Sequence, residues 1–267
     1  MRVATWFILS LTLFGHAVVG ADDSEPKPYS PTASLQIFTD RVAASRERAQ
    51  GEGKLQLVVL GGNWCHDSQD FAKKLDSPEM REILANKYVV TMEDVGYFEL
   101  LDRQLAALGI PVLYGTPTAI ILDPASGKVL NRGSLDAWRS SEARSLSEAV
   151  AYFTTSPDWQ EATAATPQLE AVMASIDAFE VAQGRRVTNA FQSIGPIMST
   201  MGKGAPSEAF LTRWKDLGGL RGPLPDDIRS LRKDAQQQLA QDPESIALSF
   251  PVYPPLMNEQ ADTRPSP

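Results

Sequence analysis

The sequence predicts an α/β domain followed by an α-helical region, and three observations support this fold class. Short apolar runs alternate with helical patterns between residues 55 and 153, which is typical of layered α/β domains. The strand signal stops after Ser156, and helical patterns alone follow. Hydrophobic residues make up 43% of the 267 residues, which is enough for a substantial core.

The first 20 residues have the layout of a secretory signal peptide. Arg2 supplies positive charge ahead of an apolar stretch at residues 4 to 14, and Gly20 and Ala21 then offer a cleavage site. That stretch is shorter than the about 20 residues that cross a bilayer, which favours a signal over a transmembrane anchor. We therefore expect a periplasmic or secreted protein with no stable membrane anchor after cleavage.

Residues 21 to 54 are expected to form a lead-in and an N-terminal helix. The segment 22–33 is rich in proline and serine, which indicates a loose chain. Leu35 and Phe38 then begin the apolar face of a helix predicted over 35–49.

The alternating elements lie in a domain predicted at 55–155. Buried strands are short apolar runs, whereas helices repeat apolar residues at spacings of three and four. Ser77 before Pro78 is typical of a helix start, and Gly109 of a helix end. The predicted elements are a strand at 55–60, helices opening at Cys65 and Pro78, a strand at 88–92, a helix at 98–108, a hairpin of strands 118–122 and 128–130, and a closing helix at 135–153.

A helical region is predicted at 156–248 from four apolar faces, and we interpret their methionines and aromatic residues as core. Gly195 and Pro196 are expected to interrupt the second face, because proline breaks helical hydrogen bonding. Residues 249–267 carry many prolines and are expected to be a disordered or surface-bound tail. The faces begin at Leu169, Val187, Phe210 and Ile228.

Charge and ligand content exclude several classes of function. The formal charge of −8 argues against nucleic acid as a partner, because a phosphate backbone attracts basic surfaces. Cys65 and His66 are too few ligands for a zinc site, so we expect no metal and no cofactor.

Cys65 is the only cysteine in the chain, which excludes an internal disulfide. It lies between Trp64 and His66, where a strand ends and a helix begins. Unpaired N–H groups at a helix start favour a thiolate; a protonated His66 would add to this effect and Asp67 would oppose it. We predict an accessible, reactive thiol; the alternatives are a buried structural cysteine and a solvated His66 without a role.

Two motifs resemble the thioredoxin family. The segment Trp64–Ser68 resembles its Trp-Cys-x-x-Cys motif, with Ser68 in place of the second cysteine. The segment Gly115–Thr118 resembles the family's loop with a cis-proline facing the active-site sulfur. The resemblance covers about residues 55–153 and implies a thioredoxin-like fold with a cis Thr116–Pro117 bond.

The resemblance implies disulfide exchange by a single thiol. Cys65 would be the nucleophile, and the hydroxyl of Ser68 in the resolving position cannot release a mixed disulfide. An external thiol would have to do so, which makes client protein thiols or disulfides, and glutathione, the expected partners. Thr116 and Pro117 would hold the substrate beside the sulfur through strand-like backbone pairing.

Two further residues are expected to border the thiol. Trp64 would shield the sulfur and His66 would tune the local charge. Many members of the family bury an acid where this chain has Val59. Loss of this acid fits a protein that does not release its own mixed disulfide, and it fits decay of the activity equally well. The alternative functions are a non-catalytic interaction module with a thioredoxin fold and a homodimer linked through Cys65.

Overall fold

The computed structural model describes residues 27–155, 167–201, 205–241 and 246–260. The expected signal peptide at 1–20 lies outside these ranges. Within them, no helix combines the length and the apolar character that crossing a membrane requires.

The first part of the chain is a mixed α/β unit. Ser34 and Ser77 cap their helices by accepting hydrogen bonds from the N–H groups of Ile37 and Met80. The elements are α1 (Leu35–Glu52), β1 (Leu55–Gly61), α2 (His66–Leu75), α3 (Pro78–Lys87), β2 (Tyr88–Asp94), α4 (Leu101–Leu108), β3 (Thr118–Leu122) and α5 (Leu146–Thr154).

The three strands form one sheet in the order β2-β1-β3. The central strand β1 runs parallel to β2 and antiparallel to β3, and Val58 pairs with Thr91 and Ile120. Because β1 is covered on both faces, six of its seven residues are buried. This sheet ends beside the segment that carries Cys65.

Alternate residues of β1 point into two separate cores. Leu57 and Val59 belong to the core that lies against α2, α3 and α5. Val58 and Leu60 belong to the other core, which includes α1, α4 and the helices after residue 167. The C-terminal helices therefore complete the core on one face of the sheet.

The C-terminal part is helical, as predicted, but α6 is one continuous helix. The expected interruption at Gly195-Pro196 is wrong, because the helix continues through Pro196 to Met201. Burial of Ile194 and Met198 in the core outweighs the single hydrogen bond that Pro196 cannot donate. The helices are α6 (Pro167–Met201), α7 (Glu208–Arg221), α8 (Leu224–Gln241) and α9 (Met257–Gln260).

The second strand of the predicted hairpin, at 128–130, does not form a regular strand. Only an isolated bridge joins Leu122 to Val129, after a turn that Asp123 organises. Asn131 replaces the missing strand: its side chain accepts from the N–H of Ile121 and donates to the carbonyl of Ala119, both at 2.8 Å. These side-chain hydrogen bonds, together with the N–H of Leu130 that donates to the carbonyl of Ile121 at 2.7 Å, satisfy the edge of β3.

Two helices begin later in the chain than the sequence predicts. The closing helix begins at Leu146 rather than at 135, because Ser145 and Glu148 form a capping box there. Short 3-10 turns at Arg132–Ser134 and Ser141–Ala143 precede it. Helix α4 begins at Leu101 rather than 98, since Phe98 has a φ of 72°, which a helix does not accept.

The chain before α1 is less loose than expected. Tyr29 is fully buried, and Ser30 extends the sheet beyond β2. The N–H of Ser30 donates to the carbonyl of Met92, and Asp94 donates back to Ser30. At the other end, Leu256 is buried in the core shared with the C-terminal helices.

Candidate functional site

Cys65 lies at the junction of β1 and α2. It is the N-cap residue of α2, with extended backbone angles, and its own N–H donates to the carbonyl of Gly62 at 2.9 Å. This turn directs the side chain away from the sheet and toward the loop before β3. Its Sγ donates to the carbonyl oxygen of Thr116 at 3.3 Å, and 9% of the residue is exposed. The thiol is therefore less accessible than the sequence suggests.

The Thr116–Pro117 peptide bond is cis, which confirms the sequence prediction. The predicted pair Thr116 and Pro117 thus lies beside the predicted thiol. Thr118 closes the turn by donating its hydroxyl to the carbonyl of Gly115 at 2.7 Å. Arg221 donates to the carbonyl of Tyr114 at 2.9 Å. Three successive carbonyl oxygens before Pro117 thus have donors from the chain itself.

The side chain of Trp64 lines the cavity next to the thiol. Its Nε1 donates to the carbonyl of Gly96 at 2.7 Å. Its ring stacks on Tyr97, with centroids 6.5 Å apart, and meets the edge of Phe98 at 5.6 Å. Because one hydrogen bond and two rings hold it, Trp64 keeps a fixed position over this side of the site.

Ser68 lies behind the thiol and is fully buried. Its Oγ accepts from the N–H of Gly62 at 3.2 Å, and its carbonyl accepts from the hydroxyl of Tyr29 at 2.9 Å. These bonds fasten the first turn of α2 to the end of β1. Val59 is buried in the apolar core against α2.

His66 is largely exposed to solvent. Its side chain is 74% exposed, and its Nε2 lies 3.3 Å from Asp67 Oδ2 and 3.7 Å from Glu142 Oε2. Asp67 also accepts from the backbone N–H of Glu142 at 3.0 Å. The ligand atoms of these three side chains lie within 4.8 Å of one another, but exposed acidic groups on a surface do not by themselves make a metal site.

A cavity of about 700 Å³ lies over the thiol, between the α/β unit and the C-terminal helices. Cys65 and Thr116 lie on one side of it. Met198, Phe210 and Trp214, from α6 and α7, lie on the other side, and we call these three residues the roof. The sequence-predicted residues that line the cavity are Trp64, Cys65, His66 and Thr116.

Arg221 brings a positive charge into this apolar cavity. Its guanidinium lies over the Trp214 ring at 4.7 Å and over the Phe191 ring at 5.7 Å. Burial lowers the pKa of Arg221 to about 10; the neighbouring Arg139 also lowers it, while negative charge on Cys65 raises it. Its Nε is buried and has no partner among the described residues. Arg221 thus provides a largely desolvated cation in the cavity that Cys65 also lines.

Arg139 lies beside Arg221 and lines the same cavity. Its guanidinium donates to the carbonyls of Arg221 and Gly222, at 3.0 and 3.2 Å. These carbonyls belong to the C-terminal end of α7, where positive charge is favourable. In the part of the chain that the structure describes, no carboxylate forms an ion pair with either arginine.

Sequence reasoning missed the roof and both arginines. Arg139 lies in a segment predicted as helix interior, and Arg221 followed by Gly222 looks like an ordinary helix end. The sequence offers no spacing that relates either position to Cys65. Only the packing of α6 and α7 into the core shared with the α/β unit brings these residues together.

No protein-family model matches the sequence, and no curated protein matches it. Among solved structures, the chain is similar to a disulphide isomerase from Xylella fastidiosa Temecula1, with 24% sequence identity and a TM-score of 0.42. The similarity covers 48% of this chain and 95% of that chain. At this TM-score the similarity does not establish a family for the chain.

Proposed function

We propose that this protein is a thioredoxin-like monothiol that performs thiol–disulfide exchange through Cys65. One observation carries the proposal: Cys65 lies at the N-terminus of α2, with its Sγ 3.3 Å from the carbonyl that precedes cis-Pro117. A helix N-terminus stabilises a thiolate, the form that attacks disulfides. The cavity beside the sulfur provides space for a substrate.

The reaction conserves the number of disulfide bonds. The Cys65 thiolate attacks one sulfur of a substrate disulfide, forms a new S–S bond to it and breaks the old one. The departing sulfur leaves as a thiolate and takes a proton from water. Ser68 has no thiol with which to release the product, so an external thiol attacks the mixed disulfide and restores Cys65.

The other predicted residues have supporting roles in this proposal. Trp64 and Thr116 border the reacting sulfur, and Pro117 fixes the loop that approaches it. Ser68 fastens the turn behind the thiol through its hydrogen bond with Gly62. The proposed partners are the thiols or disulfides of proteins or small molecules, glutathione among them.

We also propose that the protein acts outside the cytoplasm. The support is the charged, apolar and small-residue pattern of residues 1 to 20, which is typical of a removable export signal. Mass spectrometry of protein from the native host should find an N-terminus near Gly20 or Ala21. An intact Met1 would contradict export by this signal.

The exchange activity can be tested with hydroxyethyl disulfide and intact-mass measurement. The reduced protein should gain one mixed-disulfide adduct, added thiol should remove it, and Cys65→Ala should gain none. The adduct should form on the folded protein and not only on the same protein unfolded in urea, because the cavity beside Cys65 has space for this small disulfide. If only the unfolded protein reacts, the non-catalytic interaction module replaces this proposal.

A homodimer linked through Cys65 is disfavoured by the position of the thiol. A disulfide requires the two sulfurs to come within about 2.05 Å. Cys65 is 9% exposed and lies beneath the roof of α6 and α7, which obstructs a second folded chain. We expect a monomer band on a non-reducing gel after mild oxidation, and a dimer band that Cys65→Ala abolishes would contradict this expectation.

A further inference from the structure

The backbone before Pro117 is poorly suited to pair with an extended protein client. Strand-like pairing requires free N–H and C=O groups along the docking edge. The carbonyl of Tyr114 accepts from Arg221, that of Gly115 from Thr118, and that of Thr116 from Cys65. The side chains of Arg221 and Arg139 also crowd Gly115, where an added Cβ would lie 3.1 and 3.0 Å from them. They therefore occupy part of the approach that a client strand would use.

The cavity has the size and lining of a small-molecule site. Its volume of about 700 Å³ lies within the range of about 300–1,000 Å³ that is common for such sites. The roof residues Met198, Phe210 and Trp214 supply apolar contacts opposite the sulfur. A compact substrate could reach Cys65 here without displacing α6 or α7.

The charges of the cavity favour an anion. Arg139 and Arg221 line it and form no ion pair with a carboxylate among the described residues; Asp226 interacts electrostatically with Arg139 without pairing with it. Asp67 is the one carboxylate in the described lining. Asp67 is already engaged by His66 and by the N–H of Glu142. The planar guanidinium group pairs well with carboxylates, and burial beside aromatic rings strengthens that attraction.

From these contacts we infer that the cavity selects small disulfides that carry a carboxylate, and that the C-terminal helices exclude extended protein clients from Cys65. This inference rests on the proposed exchange at Cys65. A carboxylate of the substrate binds Arg221 and Arg139 while the Cys65 thiolate attacks the nearer sulfur. One S–S bond forms, one breaks, and the departing carboxylate-bearing thiolate takes a proton from water.

Three small disulfides of similar shape test the inference: dithiodipropionate with carboxylates, hydroxyethyl disulfide with hydroxyls, and cystamine with ammonium groups. The measurement is the rate of adduct formation at Cys65, by intact mass. Each rate is divided by the rate for the urea-unfolded protein, which corrects for the intrinsic reactivity of each disulfide. We expect the corrected rate to be highest for dithiodipropionate, lower for hydroxyethyl disulfide and lowest for cystamine. Added salt should reduce the differences between these three rates, because it screens the charges.

Substitution of the arginines tests the binding site directly. Arg221→Gln and Arg139→Gln should each lower the rate ratio of dithiodipropionate to hydroxyethyl disulfide by about tenfold, the typical effect of losing one charged hydrogen bond. Arg213→Gln, on the same helix but outside the described cavity lining, should leave this ratio within about twofold. The salt series on the natural protein gives a test that needs no variant.

The outcomes separate this inference from the proposed function. The anion site would be overturned if the corrected rates were equal for all three disulfides and neither arginine substitution changed the rate ratio of dithiodipropionate to hydroxyethyl disulfide. That result would leave the proposed thiol–disulfide exchange intact. Equal or faster reaction with the disulfides of insulin would overturn the exclusion of protein clients. No adduct from any disulfide on the folded protein would instead overturn the proposed function itself.

Discussion

Cys65 Sγ lies 3.3 Å from the carbonyl oxygen of Thr116, although the two residues are 51 positions apart in the chain. The contact joins the N-terminus of α2 to the loop that leads into β3. It exists because β1 and β3 are neighbours in the sheet, so the end of β1 and the start of β3 meet at one edge. The sheet topology thereby places the thiol beside the cis-Pro117 loop.

Ser68→Cys should create an internal disulfide with Cys65. Cys65 is the N-cap of α2, and residues three apart at a helix start share a face. The prediction requires the two β-carbons to come within the about 3.5–4.5 Å of a disulfide. Intact mass and alkylation should show loss of both free thiols in oxidising buffer, and the variant should then reduce hydroxyethyl disulfide with a dithiol donor.

Ser68→Ala serves as the matched control for that change. It removes the same hydrogen bond from Gly62 without adding a thiol, so any shared loss of stability belongs to the missing hydroxyl. Two thiols that persist in oxidising buffer would mean that the turn from Cys65 to Ser68 lacks the geometry of a dithiol site.

Gly195→Ala should destabilise the packing of α6 on the α/β unit. An added Cβ would lie 2.0 Å from the backbone oxygen of Tyr97, so the helix or the loop would have to move. We expect a decrease of about 1–3 kcal/mol in the free energy of unfolding, measured by chemical denaturation. Gly219→Ala in α7 has open space around the new methyl group and should be neutral or stabilising by up to about 1 kcal/mol. Equal effects of the two substitutions would argue against this tight contact.

Glu180→Gln should loosen the attachment of the C-terminal helices. Glu180 is buried in α6 and accepts from the hydroxyl of Tyr114 and from the guanidinium groups of Arg132 and Arg232. Removing one charge from a buried pair costs about 3–5 kcal/mol, which denaturation should detect. Asp177→Asn is the control, because that side chain contacts the same arginines but is 46% exposed, and it should cost less than about 1 kcal/mol. A control effect as large as that of Glu180→Gln would contradict the central role of the buried carboxylate.

Asp70 should give the protein a stability contribution that is lost in acid. Partial burial would raise the pKa of Asp70, but hydrogen bonds from Lys74 and Ser141 outweigh it and hold the pKa below its usual value of 3.8. Because the folded-state pKa is the lower one, this contribution is present above about pH 3.8 and disappears as the pH falls through the folded-state pKa. As the pH falls through this range, the free energy of unfolding should decrease less steeply for Asp70→Asn than for the natural protein. Identical pH profiles would contradict the prediction.

Local sequence patterns predict most of the elements and identify the thiol motif. Apolar runs predicted the buried strands because a strand covered on both faces needs apolar side chains throughout. Local signals such as Ser77-Pro78 and Gly109 fixed helix ends, since capping depends on neighbouring residues alone. The position of Cys65 between a strand and a helix was predictable for the same reason.

Other features depend on contacts between residues far apart in the chain, and only tertiary packing determines them. Pro196 stays inside α6 because the buried neighbours Ile194 and Met198 outweigh one missing hydrogen bond. Arg139 and Arg221 meet beside the thiol only because α7 joins, through α6, the core that also buries Val58 and Leu60. Local propensity and spacing carry no information about such contacts, since they arise from the burial of separate segments in one shared core.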